Sequence, residues 1–292
     1  MQVRSTSSIA PVFAALFFLL AGFGEAMSLS ERESAGSEAL AQQFDPHDLT
    51  GLWVRTDPDA TGTVRGRFRT DWIGPAASMP PLTPEGVTKM SGRVGTNDLP
   101  LPVFSNDPKF KCNPSGFPRI LYTSAYPFEF AGLEGRLLQL FQWERVLREV
   151  WMDGRDLPSG ENLDNLGPAW YGHSVAEWEG DTLVVNTVGL DDRAWLDGQG
   201  HPVSLQTRIE ERWDRIDANT LEVQLTLHDS TMYTAPWVGD RKTYTRMSRE
   251  DATFFGWYGL FSGVWESICA PMNEVADHTT RFMVPGSFGV DP

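Results

Sequence analysis

The strongest periodic pattern in the chain is the alternation of apolar and polar residues from Leu221 to His228. Leucine and valine occupy every second position there, and polar side chains fill the positions between them. A period of two predicts a strand with one buried face. The segment 207–216 precedes it across the turn-forming residues 217–220, so the two segments are predicted to form a hairpin.

Other extended segments flank short, glycine-containing turns or stand alone. They are predicted to form two more hairpins and one single strand, namely 128–130 with 136–143, 174–178 with 182–188, and 242–247. Residues 144–152 are predicted to continue the first of these hairpins in extended form. Because no helix is expected between successive hairpins, the pattern favours an all-β, mainly antiparallel fold, either an up-and-down barrel or a sandwich. A barrel is the preferred interpretation.

Two segments carry the signals of a helix start. Thr83 precedes a proline and a glutamate, an order typical of a helix N-terminus, so 83–90 is predicted to be a short helix. Residues 248–251 have the outline of a capping box, with aspartate in its last position. The aromatic, glycine-broken stretch 254–265 that follows is interpreted either as a packed terminal plug or as a lid over a cavity.

The N-terminus has the organisation of a secretory signal. A basic residue, Arg4, precedes an apolar run that ends in the small-x-small pattern at 24–26. The alternative is a membrane span, but the apolar run is shorter than the ~20 residues that a bilayer requires. We therefore expect a cleaved signal over 1–26, a flexible leader over 27–44 and a single β-rich domain over 45–292. The mature protein is predicted to be periplasmic or secreted, with no membrane insertion after cleavage.

The expected export to an oxidising compartment determines how the two cysteines are interpreted. Cys112 and Cys269 are the only cysteines of the chain, and neither belongs to a Cys-x-x-Cys motif. In an oxidising compartment such a pair favours a disulfide over a metal or redox site.

Composition then limits the partners. The net charge of −15, without any basic tract, argues against nucleic acid and anionic membranes as partners.

The chain holds 11 Trp, 17 Phe and 6 Tyr, which predicts either a Trp-rich core or an aromatic cavity for a small-molecule ligand. Several strands carry charges on both faces, which fits a partly polar lumen or equally well a set of cross-strand ion pairs. Oligomeric state is left open.

Short motifs carry a resemblance that covers nearly the whole mature chain. The segment 48–53 resembles the first strand of lipocalin-like barrels, in which Gly-x-Trp places an indole across the closed end. Together with it, other segments are similar to an uncharacterised family of secreted bacterial proteins: Ser105-Asn-Asp-Pro108, Cys112-Asn-Pro-Ser-Gly-Phe-Pro-Arg119, Trp170-Tyr-Gly-His-Ser-Val175, Trp178 to Val185, Asp191-Asp-Arg-Ala-Trp195 and Tyr233-Thr-Ala-Pro-Trp237. The resemblance implies a β-barrel-like periplasmic protein and carries over no catalytic residues.

His173 is the first candidate for chemistry, because it follows a loop at a predicted strand entrance and can transfer protons near neutral pH. Glu144, Asp191 and Asp192 are the carboxylates expected to orient it. A histidine that only caps a loop is the alternative. Residues expected to bind the ligand are Trp143, Arg148, Tyr171, Arg193, Trp195, Arg212 and Tyr233.

Known catalytic and cofactor motifs are missing from the sequence. It contains no Gly-x-Ser-x-Gly and no glycine-rich phosphate loop, so ATP, NAD and flavin are not expected. His47, His201 and His228 lack metal-ligand spacing. No metal is therefore predicted, although a site assembled from distant strands stays open.

These observations leave several functional hypotheses. The first is a cofactor-independent enzyme of the lyase, decarboxylase or isomerase type, which acts by acid–base chemistry on a small aromatic or terpenoid-like molecule in a barrel cavity. The alternative is a non-catalytic periplasmic carrier of a small hydrophobic ligand or a glycan. Adjacent carboxylates on one strand point to opposite faces, so no glycosidase pair is evident.

Overall fold

The computed structural model describes residues 44–56, 80–95, 105–122, 126–247 and 269. Ten strands are found in this part of the chain. They are β1 (Gly51–Arg55), β2 (Phe128–Leu133), β3 (Arg136–Phe141), β4 (Leu147–Trp151), β5 (His173–Glu179), β6 (Thr182–Val188), β7 (Arg208–Arg215), β8 (Thr220–His228), β9 (Trp237–Val238) and β10 (Lys242–Arg246). The predicted strands are thus confirmed, with boundaries shifted by a few residues.

Nine of the strands form a closed barrel, since β10 pairs with both β1 and β8. The short strand β9 shares the free edge of β8 with β10: Val238 lies opposite Thr226, and Lys242 lies opposite Val223. The predicted all-β, mainly antiparallel barrel is therefore confirmed.

One seam departs from the predicted meander. Strands β4 and β5 pair in parallel, and only two residue pairs form the ladder, Val150 with Ser174 and Trp151 with Val175. A parallel pair needs a crossover connection, and residues 152–172 supply it. Within that crossover lies a helix that the sequence analysis did not anticipate.

Within the described ranges three short α-helices accompany the barrel: α1 (Pro84–Met90), α2 (Arg119–Tyr122) and α3 (Gly160–Leu166). The predicted helix start at Thr83 is confirmed, because its side chain accepts a hydrogen bond from the backbone N–H of Gly86. Single 3-10 turns occur at Pro108–Lys111 and Trp143–Arg145. The prediction of extended structure from residue 144 onward was wrong at its start, because the second of these turns separates β3 from β4.

The middle of the barrel is filled by aromatic side chains that pack against one another. Trp53, Phe128, Trp213 and Tyr244 are all buried. The ring of Phe128 contacts those of Trp213 and Tyr244 in edge-to-face geometry, with centroids 5.9 and 5.1 Å apart. The segment 117–122, which contains α2, adds further buried apolar side chains to the same core. Much of the aromatic content therefore belongs to a Trp-rich core.

Trp53, the tryptophan of the Gly-x-Trp motif, lies on β1 and is fully buried. Its indole N–H donates to the carbonyl of Leu49 at 2.9 Å, and the Arg246 guanidinium lies 6.0 Å from its ring. Gly51 has a φ of +132°, and a Cβ there would lie 2.8 Å from Arg246 Nε. The positive φ thus favours glycine at this position, whereas the end of the Arg246 side chain could move away from a Cβ.

Within the barrel a buried ion pair joins Arg148 on β4 to Glu211 on β7. The Arg148 Nη2 and Glu211 Oε1 atoms are 2.5 Å apart, and both side chains are almost fully buried. The same guanidinium donates to Gln139, Ser174 and Thr187, which lie on β3, β5 and β6. Arg148, Glu211 and these three partners are all buried, so the barrel interior holds a polar cluster, as the partly polar lumen of the sequence prediction requires.

Cys112 and Cys269 form a disulfide with their Cα atoms 5.5 Å apart, which confirms the predicted pairing. Other predictions concern parts of the chain outside the described residues, namely the signal over 1–26, nearly all of the leader, the capping box at 248–251 and the aromatic stretch 254–265. Among the helices described, none has the length and apolar content to span a bilayer.

Removing one partner of the buried pair is expected to be costly. Glu211→Leu leaves the Arg148 charge buried without its counter-ion, so the free energy of unfolding should fall by about 3–5 kcal/mol in urea titrations. The control is Glu210→Leu on the outer face of the same strand, where loss of loose pairing with Arg208 should cost about 1 kcal/mol or less. Equal losses in the two variants would contradict the structural role of the pair.

The disulfide closes a loop with a sequence separation of 157 residues. Replacing Cys112 and Cys269 together by alanine should lower the free energy of unfolding by roughly 3–5 kcal/mol, because the unfolded chain regains conformational entropy. Thermal and urea unfolding of the oxidised wild type and the double variant measure the difference. An unchanged unfolding midpoint would argue against a stabilising bridge.

Candidate functional site

The turn between β3 and β4 has an unusual backbone. Glu144 and Arg145 adopt positive φ values of 59° and 54°. Non-glycine residues occupy this region rarely, and such conformations concentrate at binding and catalytic sites. In this protein the turn directs the Glu144 carboxylate against the segment 113–116.

Four donors surround the Glu144 carboxylate. Oε2 accepts from the Ser115 backbone N–H at 2.9 Å and from the Tyr171 hydroxyl at 3.0 Å. Oε1 accepts from the Ser115 hydroxyl and from the Trp143 indole N–H, each at 2.8 Å. The hydrogen bonds from Ser115, Trp143 and Tyr171 therefore fix the carboxylate in one orientation.

The Lys109 amine lies over the ring of Trp143. Its Nζ lies 4.5 Å from the centre of the indole ring. Within the described ranges, no carboxylate lies within 4.0 Å of this amine and no acceptor hydrogen-bonds it. Burial, reinforced by the charge of Arg119, lowers the pKa of Lys109 from 10.5 to about 8, although Glu144 acts in the opposite direction.

The remaining contacts make the environment partly aromatic. Burial, with the nearby charge of Glu144 and the hydrogen bond to it, raises the pKa of Tyr171, so its hydroxyl stays protonated at physiological pH. Tyr126 contacts the Trp143 ring with centroids 4.9 Å apart. We refer to Lys109, Ser115, Trp143, Glu144 and Tyr171 as the rim cluster.

The rim cluster combines groups that can serve proton transfer. Lys109 provides an amine whose pKa lies near neutrality, as general acids and bases require. Ser115 and Tyr171 provide hydroxyl groups, and Glu144 holds both of them in place. Tyr126 and Trp143 provide aromatic surface on which a planar ligand can stack.

Three of the predicted site residues, Trp143, Glu144 and Tyr171, are brought together in this cluster. His173 is not joined to it. Its Nε2 lies 3.0 Å from the carbonyl oxygen of Gly167, and no ion pair within 4.0 Å links it to Glu144, Asp191 or Asp192. His173 alternates with the inward-facing Ser174 and therefore lies on the outer side of β5. This arrangement corresponds to the loop-capping alternative.

The two predicted aspartates have other partners. Asp191 pairs with Arg193, whose hydrogen bonds lower the pKa of Asp191. Asp192 pairs with Lys89 of α1. The Arg193 guanidinium also lies 4.9 Å from the ring of Trp170. These contacts fix the loop after β6 in place.

The other predicted ligand-binding residues are separated from one another. Arg148 lies inside the barrel, whereas Arg212 lies on the outer face, where it bonds Glu179 at 2.7 Å. Trp195 is buried beneath Arg93 at 5.2 Å. The Tyr233 hydroxyl donates to the carbonyl of Pro202 at 2.9 Å. The structure does not gather these four residues into one pocket with the rim cluster.

Sequence reasoning missed a buried histidine that has a carboxylate partner. His201 Nδ1 lies 2.6 Å from Asp197 Oδ2, and both side chains are buried. The His201 ring contacts Trp237 edge-to-face at 5.8 Å. The i, i+4 spacing of Asp197 and His201 in the sequence is the only local signal of this pair.

Lys109 and Ser115 were also missed as site residues. Ser115 belongs to the motif 112–119 that the sequence analysis quoted, but nothing local indicated its contact with residue 144. Among the described residues, no group of three or more His, Cys, Asp or Glu side chains could hold a metal ion.

Comparison of the chain with protein-family models, with curated proteins and with solved structures finds no match. The resemblance to secreted bacterial proteins therefore rests on the quoted motifs alone.

The charge of Glu144 should control the protonation of Lys109. Because the carboxylate raises the pKa of the amine, Glu144→Gln should move that pKa below about 8. Reductive ¹³C-methylation followed by NMR titration measures the change. Glu161→Gln on the exposed side of α3 is the control and should leave the Lys109 titration unchanged. A Lys109 pKa that rises in Glu144→Gln would contradict the arrangement.

Proposed function

We propose that this protein is a cofactor-independent acid–base enzyme of the lyase, decarboxylase or isomerase type, acting on a small aromatic or terpenoid-like molecule. The rim cluster is the proposed active site. The observation that carries the proposal is the convergence of two groups on one indole, Trp143: the Lys109 amine lies over its ring, and the Glu144 carboxylate accepts from its N–H.

Lys109 is the proposed proton-transfer group. An amine with a pKa of about 8 is present in both protonation states near neutral pH, so it can remove a proton from a carbon acid and return it elsewhere. No carboxylate within the described ranges holds Lys109 in an ion pair, which leaves its amine available to a ligand. His173, the first candidate in the sequence, has its Nε2 at a backbone carbonyl instead.

Glu144 has a supporting role in this proposal. Its negative charge favours the protonated form of Lys109. Its hydrogen bonds orient the Ser115 and Tyr171 hydroxyls. Because the Tyr171 hydroxyl donates its one hydrogen to Glu144, its oxygen can accept a hydrogen bond from the substrate. The ligand's planar part is proposed to rest against Trp143 and Tyr126.

A non-catalytic carrier is the second candidate. The saturated hydrogen bonding of Glu144 favours it, because a fully bonded carboxylate suits a rigid binding surface as well as it suits a catalytic site. A periplasmic or secreted location is proposed for either function, and the disulfide between Cys112 and Cys269 supports it.

Proton exchange distinguishes the two candidates. The purified protein is incubated in D₂O with a panel of aromatic and terpenoid compounds that contain an acidic C–H bond, and ¹H NMR follows the loss of that signal. The wild type should exchange at least one compound, at a rate that rises with pH toward about 8 as Lys109 loses its proton. Lys109→Met should lower the rate by about 10²-fold or more.

Two further variants serve as controls. Lys111→Met removes an exposed lysine from the same 3-10 turn and should leave exchange unchanged. His173→Ala should also retain exchange; its loss in a folded His173→Ala variant would return the proton-transfer role to the histidine. A compound that binds by native mass spectrometry but never exchanges would favour the carrier.

A further inference from the structure

Lys109 differs from the other described lysines in its surroundings. Lys89 pairs with Asp192, and Lys242 lies 4.0 Å from Asp240. Lys111 is exposed. Lys109 is half-buried, and its amine contacts the face of Trp143 without an ion pair in the described part of the chain. It is thus the described lysine whose amine is both sheltered from water and free of a carboxylate.

Such an amine is a nucleophile as well as a base. Desolvation favours its neutral form, and about a tenth of it is neutral at pH 7 if its pKa is about 8. Lysines placed in apolar pockets or beside other cations react with carbonyl compounds to form imines. Burial and the charge of Arg119 both act on Lys109 in this direction, and the carboxylates of Glu144 and Asp107 oppose them only in part.

We infer that Lys109 forms an imine with an aldehyde or ketone whose conjugated or aromatic part stacks on Trp143. The inference rests on the proposed function and names its substrate class as carbonyl compounds. The amine nitrogen attacks the carbonyl carbon, and the two amine protons leave with the carbonyl oxygen as water. The C=O bond is replaced by a C=N bond, and no oxidant, reductant or cofactor is consumed.

The surroundings of Lys109 suit the product of this step. A protonated imine keeps one positive charge on the lysine nitrogen, and the Glu144 carboxylate, which favours the protonated amine, favours that charge as well. The indole face of Trp143 also attracts a cation. An imine conjugated with an aromatic ring is planar, so it can lie parallel to the indole at the distance where the amine now lies.

Reductive trapping tests the inference directly. The full-length oxidised protein is incubated at pH 7 with cinnamaldehyde, an aromatic conjugated aldehyde, and sodium cyanoborohydride, which reduces an imine to a stable secondary amine. Peptide mapping by mass spectrometry then locates the adduct. We expect at least tenfold more adduct on Lys109 than on Lys111, its exposed neighbour in the same turn. An adduct on Lys111 that equals or exceeds that on Lys109 overturns the inference.

Variants separate nucleophilicity from simple exposure. Trp143→Leu removes the stacking surface and should reduce the Lys109 adduct several-fold, whereas Lys111→Met should not change it. Because trapping is measured in the wild type, the result does not depend on the folding of either variant. Hexanal, which has no aromatic ring, should label Lys109 less than cinnamaldehyde does; equal labelling would argue against stacking on Trp143.

The trapping experiment tests the imine and the exchange experiment tests the acid–base enzyme, so a negative result in one leaves the other proposal standing. Proton exchange without an adduct on Lys109 overturns the imine and leaves the acid–base enzyme standing. An adduct on Lys109 without exchange of any compound overturns the enzyme and leaves a reactive lysine in a carbonyl-binding site.

Discussion

The ion pair between Arg148 and Glu211 holds together the part of the barrel that its backbone holds least well. Strands β4 and β5 share only two residue pairs in a parallel ladder. From inside, the Arg148 guanidinium bonds Ser174 and Thr187 beyond that seam and Gln139 before it. A charge buried at this depth is tolerated because every side of it is paired. The network thus bridges five neighbouring strands at the place where the meander is interrupted.

The same guanidinium links the barrel to the rim cluster. The Phe117 ring lies 3.8 Å from Arg148 and forms part of the segment that fills this side of the interior. Ser115, two residues earlier, is thereby placed against Glu144, which its backbone and hydroxyl both bind. The geometry of the proposed site therefore follows from the packing of the barrel interior, and not from the rim turn alone.

The fold was largely predictable because its signals are local. Alternation in β8 and the turn residues beside it are enough to define a hairpin, and Thr83 marks the start of α1 by its own side chain. The 3-10 turn at Trp143–Arg145 was not predictable, because no glycine, proline or asparagine marks a turn there. The contacts of Glu144 with Ser115 and Tyr171 join parts of the chain that are distant in sequence. The site was predictable in part, because the sequence indicates Glu144, Trp143 and Tyr171 as site residues. The lowered pKa of Lys109 depends on burial by residues that are distant in sequence, so no local pattern indicates it. His173 was chosen for its loop position, but the strand register decides which way it faces.

Cys112 lies between Lys109 and Ser115 in the chain, at the left-handed residue that ends the 3-10 turn. The covalent bond to Cys269 therefore fixes the polypeptide in the middle of the segment that supplies the amine and the serine of the rim cluster. Before that bond forms, the segment is held only by noncovalent contacts with the barrel. The disulfide thus adds a covalent restraint to the hydrogen bonds by which Ser115 holds this segment against Glu144.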